Sequence, residues 1–205
     1  REGEGFGDFC DRAVLPAADL SRGRPKPSTP PGVGNHEYLT SGGTRCDPSD
    51  AGAAGYFTYF GSAAGQQGKG YYSYDVGAWH LIALNSNCSS AGGCGTGSPQ
   101  DTWLRTDLAA HPTACTLAYW HIPLYSSGGR ASSNMQKLWQ VLYDANADLV
   151  LAGHDHLYER FAPQDANGGL DSARGLRSFI VGTGGANHTS LTTIAANSEL
   201  RNAST

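Results

Sequence analysis

Ala147-Asp148-Leu149-Val150-Leu151-Ala152-Gly153-His154-Asp155-His156 is the stretch that decides how this chain folds. Leu149 to Ala152 is an apolar run of strand length. Gly153 ends it, and a polar turn follows at once. Open α/β enzymes mount their functional groups in this way, at the carboxyl ends of buried strands. Two histidines at i and i+2 of an extended segment point to one side, so His154 and His156 can face one ion or serve two adjacent ions. Asp155 between them is expected to point away, as a solvated or helix-capping carboxylate.

The same pattern recurs outward from this point. Thr116-Leu117-Ala118-Tyr119-Trp120 reads as a buried strand ending at His121-Ile122-Pro123. Ala78 to Asn85 is a strand apolar enough to be buried on both faces. Tyr71 to Asp75 is a strand before a turn at Gly77, and Leu176 to Val181 is a strand ending in Gly182-Thr183-Gly184-Gly185. Ser98-Pro99 opens a helix striped by Trp103, Leu104 and Leu108 and stopped at His111-Pro112. Ser132 or Ser133 caps a second helix through Met135, Leu138, Trp139 and Leu142. Strands alternating with helices predict an α/β layered fold. Upstream, Pro25, Pro27, Pro30 and Pro31 keep the chain extended before Gly34. Residues 41–70 are rich in Gly, Ala and Ser, with Tyr56, Phe57, Tyr59 and Phe60 as anchors. Residues 1–33 form a poorly patterned N-terminal segment, and 34–205 form the domain.

The net charge of −4 leaves no basic face in bulk for nucleic acid. No apolar run approaches the ~20 residues of a membrane span. Sparse charge, at 16%, with 28 Gly suits a loop-rich enzyme rather than a helical bundle. Of the five Cys, Cys88 and Cys94 share a Ser/Gly-rich loop and suit a short disulfide, which points to an oxidising, secreted or extracytoplasmic setting. The odd count leaves one thiol free or paired elsewhere. The chain opens on Arg1 with no leader-like segment and reads as a fragment.

Three positions carry the chemistry: Asn35 in Gly34-Asn35-His36-Glu37, then His121, then His154. Each lies beside a Gly or near a Pro, residues that shape tight turns. An amide oxygen with several imidazoles suits Zn, Fe or Mn better than Ca or Mg. His36 is adjacent to Asn35 and is placed to donate a proton to a leaving group. Arg130, after Ser126-Ser127-Gly128-Gly129, is a candidate contact for an anionic substrate. His80 and His111 read as structural, and His188 as a surface residue.

Gly34-Asn35-His36-Glu37, Trp120-His121-Ile122-Pro123-Leu124-Tyr125 and Gly153-His154-Asp155-His156-Leu157-Tyr158-Glu159-Arg160, in this order, resemble the calcineurin-like metallophosphoesterase superfamily. The closer resemblance is to its purple acid phosphatase-like secreted bacterial branch. It implies an αββα sandwich of two mixed β-sheets flanked by helices, here without its first strands. It implies a dinuclear centre of divalent or trivalent ions (Fe, Zn or Mn). Asn35, His121 and His154 would bind the second metal, His156 the first, and His36 would serve the transition state or leaving group. The family's Asp-x-His motif is not found in this sequence. The Gly-Asp whose carboxylate bridges both ions has one candidate, Asp8. As it stands, the chain would hold at most one metal well, through Asn35, His121 and His154.

The expected function is metal-dependent hydrolysis of a small phosphorylated substrate, a phosphomonoester first and a phosphodiester second. The alternative is a degenerate phosphoesterase that binds metal or phosphate without turnover. Substrate identity and oligomeric state are not encoded in these patterns.

Overall fold

Seven strands lie among the described residues, most of them short alternating or continuous apolar runs. The computed structural model describes residues 30–38, 52–112, 115–184 and 187–204. The strands are β1 (Tyr72–Val76), β2 (Trp79–Ala83), β3 (Cys115–Tyr119), β4 (Leu149–Ala152), β5 (Tyr158–Phe161), β6 (Arg177–Val181) and β7 (Ser198–Asn202). They form one sheet in the order β1-β2-β3-β4-β6-β5-β7. The central strands β2, β3, β4 and β6 run parallel, while β1 and β5 pair antiparallel with their neighbours. This is the expected α/β class. The second sheet of the expected sandwich is not represented among the described residues.

The α-helices among the described residues are α1 (Ala54–Phe60), α2 (Pro99–Ala110) and α3 (Gln136–Asp144). Ser98 caps α2 by accepting from the Asp101 amide at 3.2 Å, and Pro99 occupies the first turn where no amide partner is needed. Ser132, rather than Ser133, caps the short 3₁₀ turn (Ser133–Met135) that leads into α3. On α3 the residues Leu138, Trp139 and Leu142 recur at helical spacing and are fully buried. With Leu104 of α2 they join Ile82, Leu84, Ala118 and Val150 of the sheet in one core. Each buried Leu or Ile contributes about 1.5–3 kcal/mol relative to exposure. Trp120 and Trp139 meet edge to face, with ring centroids 6.1 Å apart.

Side chains alternate along β3, so Ala118 enters that core while Tyr119 turns to the other face. There the Tyr119 hydroxyl lies 3.2 Å from that of Tyr72, and Tyr72 donates to the Pro31 carbonyl at 2.8 Å. A smaller cluster of Val33, Ala53, Tyr56, Phe57 and Ala64 forms around α1.

His80 ties the β1–β2 hairpin to α2. Its Nδ1 is 2.7 Å from Asp75 and its Nε2 is 2.9 Å from Asp107. Burial opposes charge on this imidazole, yet hydrogen bonds to Asp75 and Asp107 outweigh it and raise its pKa above the ordinary value. The structural role expected for His80 is thereby met.

Three elements were absent from the sequence expectations. Helix α1 lies in the Gly/Ala/Ser-rich stretch, where aromatic burial overrides a weak local pattern. Strands β5 and β7 are the other two. Tyr158-Glu159-Arg160-Phe161 alternates with Glu159 pointing inward, so its buried side is partly polar and its pattern misleads.

Candidate metal centre

Each candidate ligand sits just past the carboxyl end of a central strand or on the loop packed against it. After β3, the Trp120 amide donates to the Leu151 carbonyl at 3.1 Å, and the Gly153 amide donates to the His121 carbonyl at 3.0 Å. The parallel ladder therefore continues beyond the strands and brings His121 beside the Gly153-His154 turn. His154 adopts a left-handed backbone, with φ of 65°.

Asn35 arrives from the other direction. Tyr56 and Tyr72 both donate to the Pro31 carbonyl, at 3.0 and 2.8 Å. Asn87 donates to the Gly34 carbonyl at 3.2 Å. Asn87 is itself set by Asn85, whose buried amide group donates to Tyr38 and to the Lys69 carbonyl. The Gly34 amide donates to Glu37 at 2.8 Å. A Cβ at Gly34 would lie 2.7 Å from that Glu37 oxygen and 3.2 Å from the His121 ring, so any larger residue here displaces Glu37 or crowds the imidazole.

The result is a convergence of three donor atoms. His121 Nε2 lies 2.8 Å from Asn35 Oδ1 and 3.2 Å from His154 Nδ1. One ring nitrogen carries at most one proton, so it cannot donate to the amide oxygen while also accepting from His154. An atom set with more lone pairs than protons suits a cation. Burial first, then the imidazoles of His154, His36 and His156, pull the His121 pKa down to about 4. Burial also lowers His154, partly offset by Asp155 and reinforced by Arg130. Both rings are thus held neutral with lone pairs available, as metal ligation requires. The residues present fit the expected ion on this donor chemistry.

His156 is oriented separately. Its Nδ1 donates to the Asn187 carbonyl at 2.8 Å, and its backbone exchanges hydrogen bonds with Thr189. That tautomer leaves Nε2 as the acceptor, the usual outer-shell arrangement around a ligating imidazole. His36 begins a short 3₁₀ turn (His36–Tyr38) and is exposed. Its ring acts electrostatically on both His121 and His154. Asp8 lies outside the described residues.

Asp155 contacts the 126–130 loop, and the expectation of a solvated carboxylate is corrected. It is fully buried. It accepts from the Ser126 hydroxyl and from the Arg130 amide, and its other oxygen lies 3.9 Å from Arg130 Nε. The loop 126–130 folds over the carboxylate and supplies two donors to Oδ2, while the buried Oδ1 has no hydrogen bond and only the Arg130 charge near it. Arg130 is half-exposed beside it. Glu159, also buried, holds the neighbouring loop: it accepts from the Ser127 amide at 2.8 Å and from the hydroxyls of Ser127 and Ser198. These supports, with Asn85, Asn87 and Thr189, were missed by sequence reasoning. The run Asn85-Ser86-Asn87 directly after an apolar strand was the available signal. His188 is exposed, as expected. The Cys88–Cys94 disulfide is present.

A family model for calcineurin-like phosphoesterases matches residues 6–158. The chain belongs to the calcineurin-like phosphoesterase family. It is 35% identical over 100 residues to purple acid phosphatase 21 of Arabidopsis thaliana, covering 45% of this chain and 22% of that protein. It is 28% identical over 196 residues to the uncharacterized protein Rv2577 of Mycobacterium tuberculosis, covering 76% of this chain and 35% of that one. Purple acid phosphatase PPD1 from yellow lupin (Lupinus luteus) seeds shares the fold, with a TM-score of 0.68 and 22% identity over 84% of this chain. The alignment takes in 34% of the lupin chain, so this phosphoesterase chain spans between about a fifth and a third of these relatives. Family membership implies phosphoester hydrolysis with metal ions in general terms. Among the described residues no helix is long and apolar enough to cross a membrane.

Proposed function

We propose that this phosphoesterase hydrolyses phosphomonoesters by metal-assisted attack of water, with phosphodiesters as the second substrate class. The observation that supports this is the convergence of Asn35 Oδ1, His121 Nε2 and His154 Nδ1. These three residues would hold one ion, and His156 would face a second. The ions suited to this donor set are Zn, Fe or Mn. When bound, such an ion lowers the pKa of a water and offsets charge on the phosphoryl oxygens.

The chain's own residues do the rest. The tyrosine-anchored loop presents Asn35, and the β3 and β4 turns present two neutral imidazoles. His36, exposed beside Asn35, is the proton donor for the departing alkoxide. Arg130, half-exposed and braced by buried Asp155, is offered to a phosphate oxygen as a charge-assisted contact. Asp8 is the candidate for the carboxylate shared by two ions. A disulfide and the likeness to purple acid phosphatases of plants and a mycobacterial relative support a secreted or extracytoplasmic setting and membership of a bacterial branch.

The experiment is hydrolysis of p-nitrophenyl phosphate and bis(p-nitrophenyl) phosphate with added Mn or Zn, beside His154→Ala. Faster monoester turnover, abolished in His154→Ala, is the expected result. Metal binding without turnover of either ester would instead assign a phosphate- or metal-binding module. Preferential diester turnover would reverse the substrate order.

A further inference from the structure

A second group of ligand-type side chains lies at the amino end of β2, whereas the phosphoesterase residues follow the carboxyl ends of the strands. Asp75, His80 and His111 each present a donor atom, and the three atoms lie within 4.8 Å of one another. They come from three elements: β1, β2 and the residue that ends α2. Nothing in the hydrolytic reading uses them.

The outer contacts of this group are those of ligating histidines. His80 Nε2 is bound to the Asp107 carboxylate at 2.9 Å, and Asp107 is fixed in turn by the Ser73 hydroxyl at 2.7 Å. Nδ1 lies 2.7 Å from the Asp75 carboxylate, the contact of an N–H donor, so an ion bound at Nδ1 would take the place of that proton. His111 Nδ1 lies 2.8 Å from the main-chain carbonyl of Asp107, which fixes the tautomer with a lone pair on Nε2. Imidazoles whose second nitrogen is tied to a carboxylate or a carbonyl are the arrangement that orients metal ligands and raises their basicity. The His80 and His111 rings are stacked, with centroids 4.4 Å apart and an interplanar angle of 15°, so the half-exposed His111 ring must turn out of the stack to share an ion with His80.

The group also combines rigidity with access. His80 is 1% exposed, while the Asp75 and His111 side chains are 57% and 39% exposed. A fixed imidazole is thus flanked by two arms that can adjust their spacing and admit an ion from solvent.

We propose that Asp75, His80 and His111 form a second binding site, separate from the phosphoesterase centre, for a divalent d-block cation of the zinc type. Two imidazoles and a carboxylate leave one position for water, a ligand set that zinc accepts and that Ca and Mg disfavour. Its effect is structural. The ion joins the β1–β2 hairpin to the carboxyl end of α2, and it stabilises the fold in proportion to its affinity for the folded state. Without the ion, His80 bridges two carboxylates, so a proton is the competing occupant.

The test is zinc titration against a chromophoric chelator, using the chain with His121→Ala and His154→Ala to silence the other centre. One zinc per chain is expected to remain. Adding His111→Ala or Asp75→Asn is expected to weaken it at least tenfold, and Asp107→Asn by about tenfold through loss of the outer contact. His111 and Asp75 are exposed enough for these variants to fold, which circular dichroism checks. A background chain that retains no zinc, or affinity unchanged in both His111→Ala and Asp75→Asn, overturns the proposal. A second readout needs no substitution: imidazole ¹⁵N resonances of His80 and His111 should shift on zinc addition. Shifts confined to His121, His154 and His156 also overturn it.

Discussion

The Tyr72 hydroxyl donates to the Pro31 carbonyl at 2.8 Å, joining β1 to the loop that carries Asn35 four residues later. Tyr56 donates to the same oxygen at 3.0 Å. Removing both hydroxyls leaves that carbonyl without these partners. Tyr56→Phe with Tyr72→Phe is expected to cost about 1–3 kcal/mol, at roughly 0.5–1.5 per bond. Zinc or manganese affinity at the His121–His154 centre should fall as well, because Asn35 loses its anchor. Urea melts and chelator competition measure the two effects. A stability loss with unchanged metal affinity would show that Asn35 is positioned by other contacts.

Gly34→Ala places a methyl group 2.7 Å from the Glu37 carboxylate and 3.2 Å from the His121 ring. Glu37 or His121 must shift, at about 1–3 kcal/mol. The expected outcome is a fold intact by circular dichroism, with phosphoesterase activity reduced at least tenfold. Activity equal to the parent chain would mean that the loop tolerates the methyl and that the close approach is not required.

Glu159 is a buried carboxylate with donors from Ser127 and Ser198. It holds both the 126–130 loop and β7. Glu159→Gln replaces a charged acceptor with a neutral one, and its amide nitrogen must take the place of one oxygen that now accepts from Ser127 or Ser198. The expected loss is about 1.5–3 kcal/mol. Hydrogen exchange should accelerate first in residues 126–130 and 198–202. Uniform acceleration across the sheet would contradict a local role.

Asp171 accepts from the Tyr143 hydroxyl at 2.7 Å and from the amides of Ala173 and Arg174. These contacts, the Tyr143 bond first, hold its carboxyl below the ordinary 3.8. A depressed folded pKa contributes stability above the unfolded value, and this is lost as pH falls through the folded value. Asp171→Asn is therefore expected to be less stable than the parent chain at pH 7. The difference should shrink progressively below pH 3.8. Urea melts at pH 7, 4 and 3 check it, and a gap constant with pH would remove Asp171 as its source.

Most of the central sheet was legible because its strands are apolar on both faces and end at Gly, His or Asn. Helices α2 and α3 were legible from their Ser caps and helical stripes. Strand β5 was not, because its inward residue is Glu159, whose partners come from residues far along the chain. Helix α1 was hidden by Gly and Ala, since its order derives from Tyr56 and Phe57 packing on Val33. Asn35, His121 and His154 could be named from local turns alone. Their convergence depends on Tyr72, Asn87 and the β3–β4 ladder, contacts that no local window contains. Asp155 was misjudged for the same reason: its donors lie on a loop about 25 to 29 residues upstream.

The left-handed backbone at His154 acts as a phase correction. The extended ladder pairs His121 with Gly153, so an ordinary strand would send the next residue to the opposite face. A φ of 65° breaks that two-residue alternation and returns the imidazole to within 3.2 Å of His121. The centre is thus built from an off-by-one register that a single backbone inversion cancels. Any substitution there is judged twice, once for its ligand atom and once for its tolerance of an inverted turn. Asn keeps the turn but brings an amide where the imidazole stood, whereas a β-branched residue resists the turn itself, at roughly 1–2 kcal/mol.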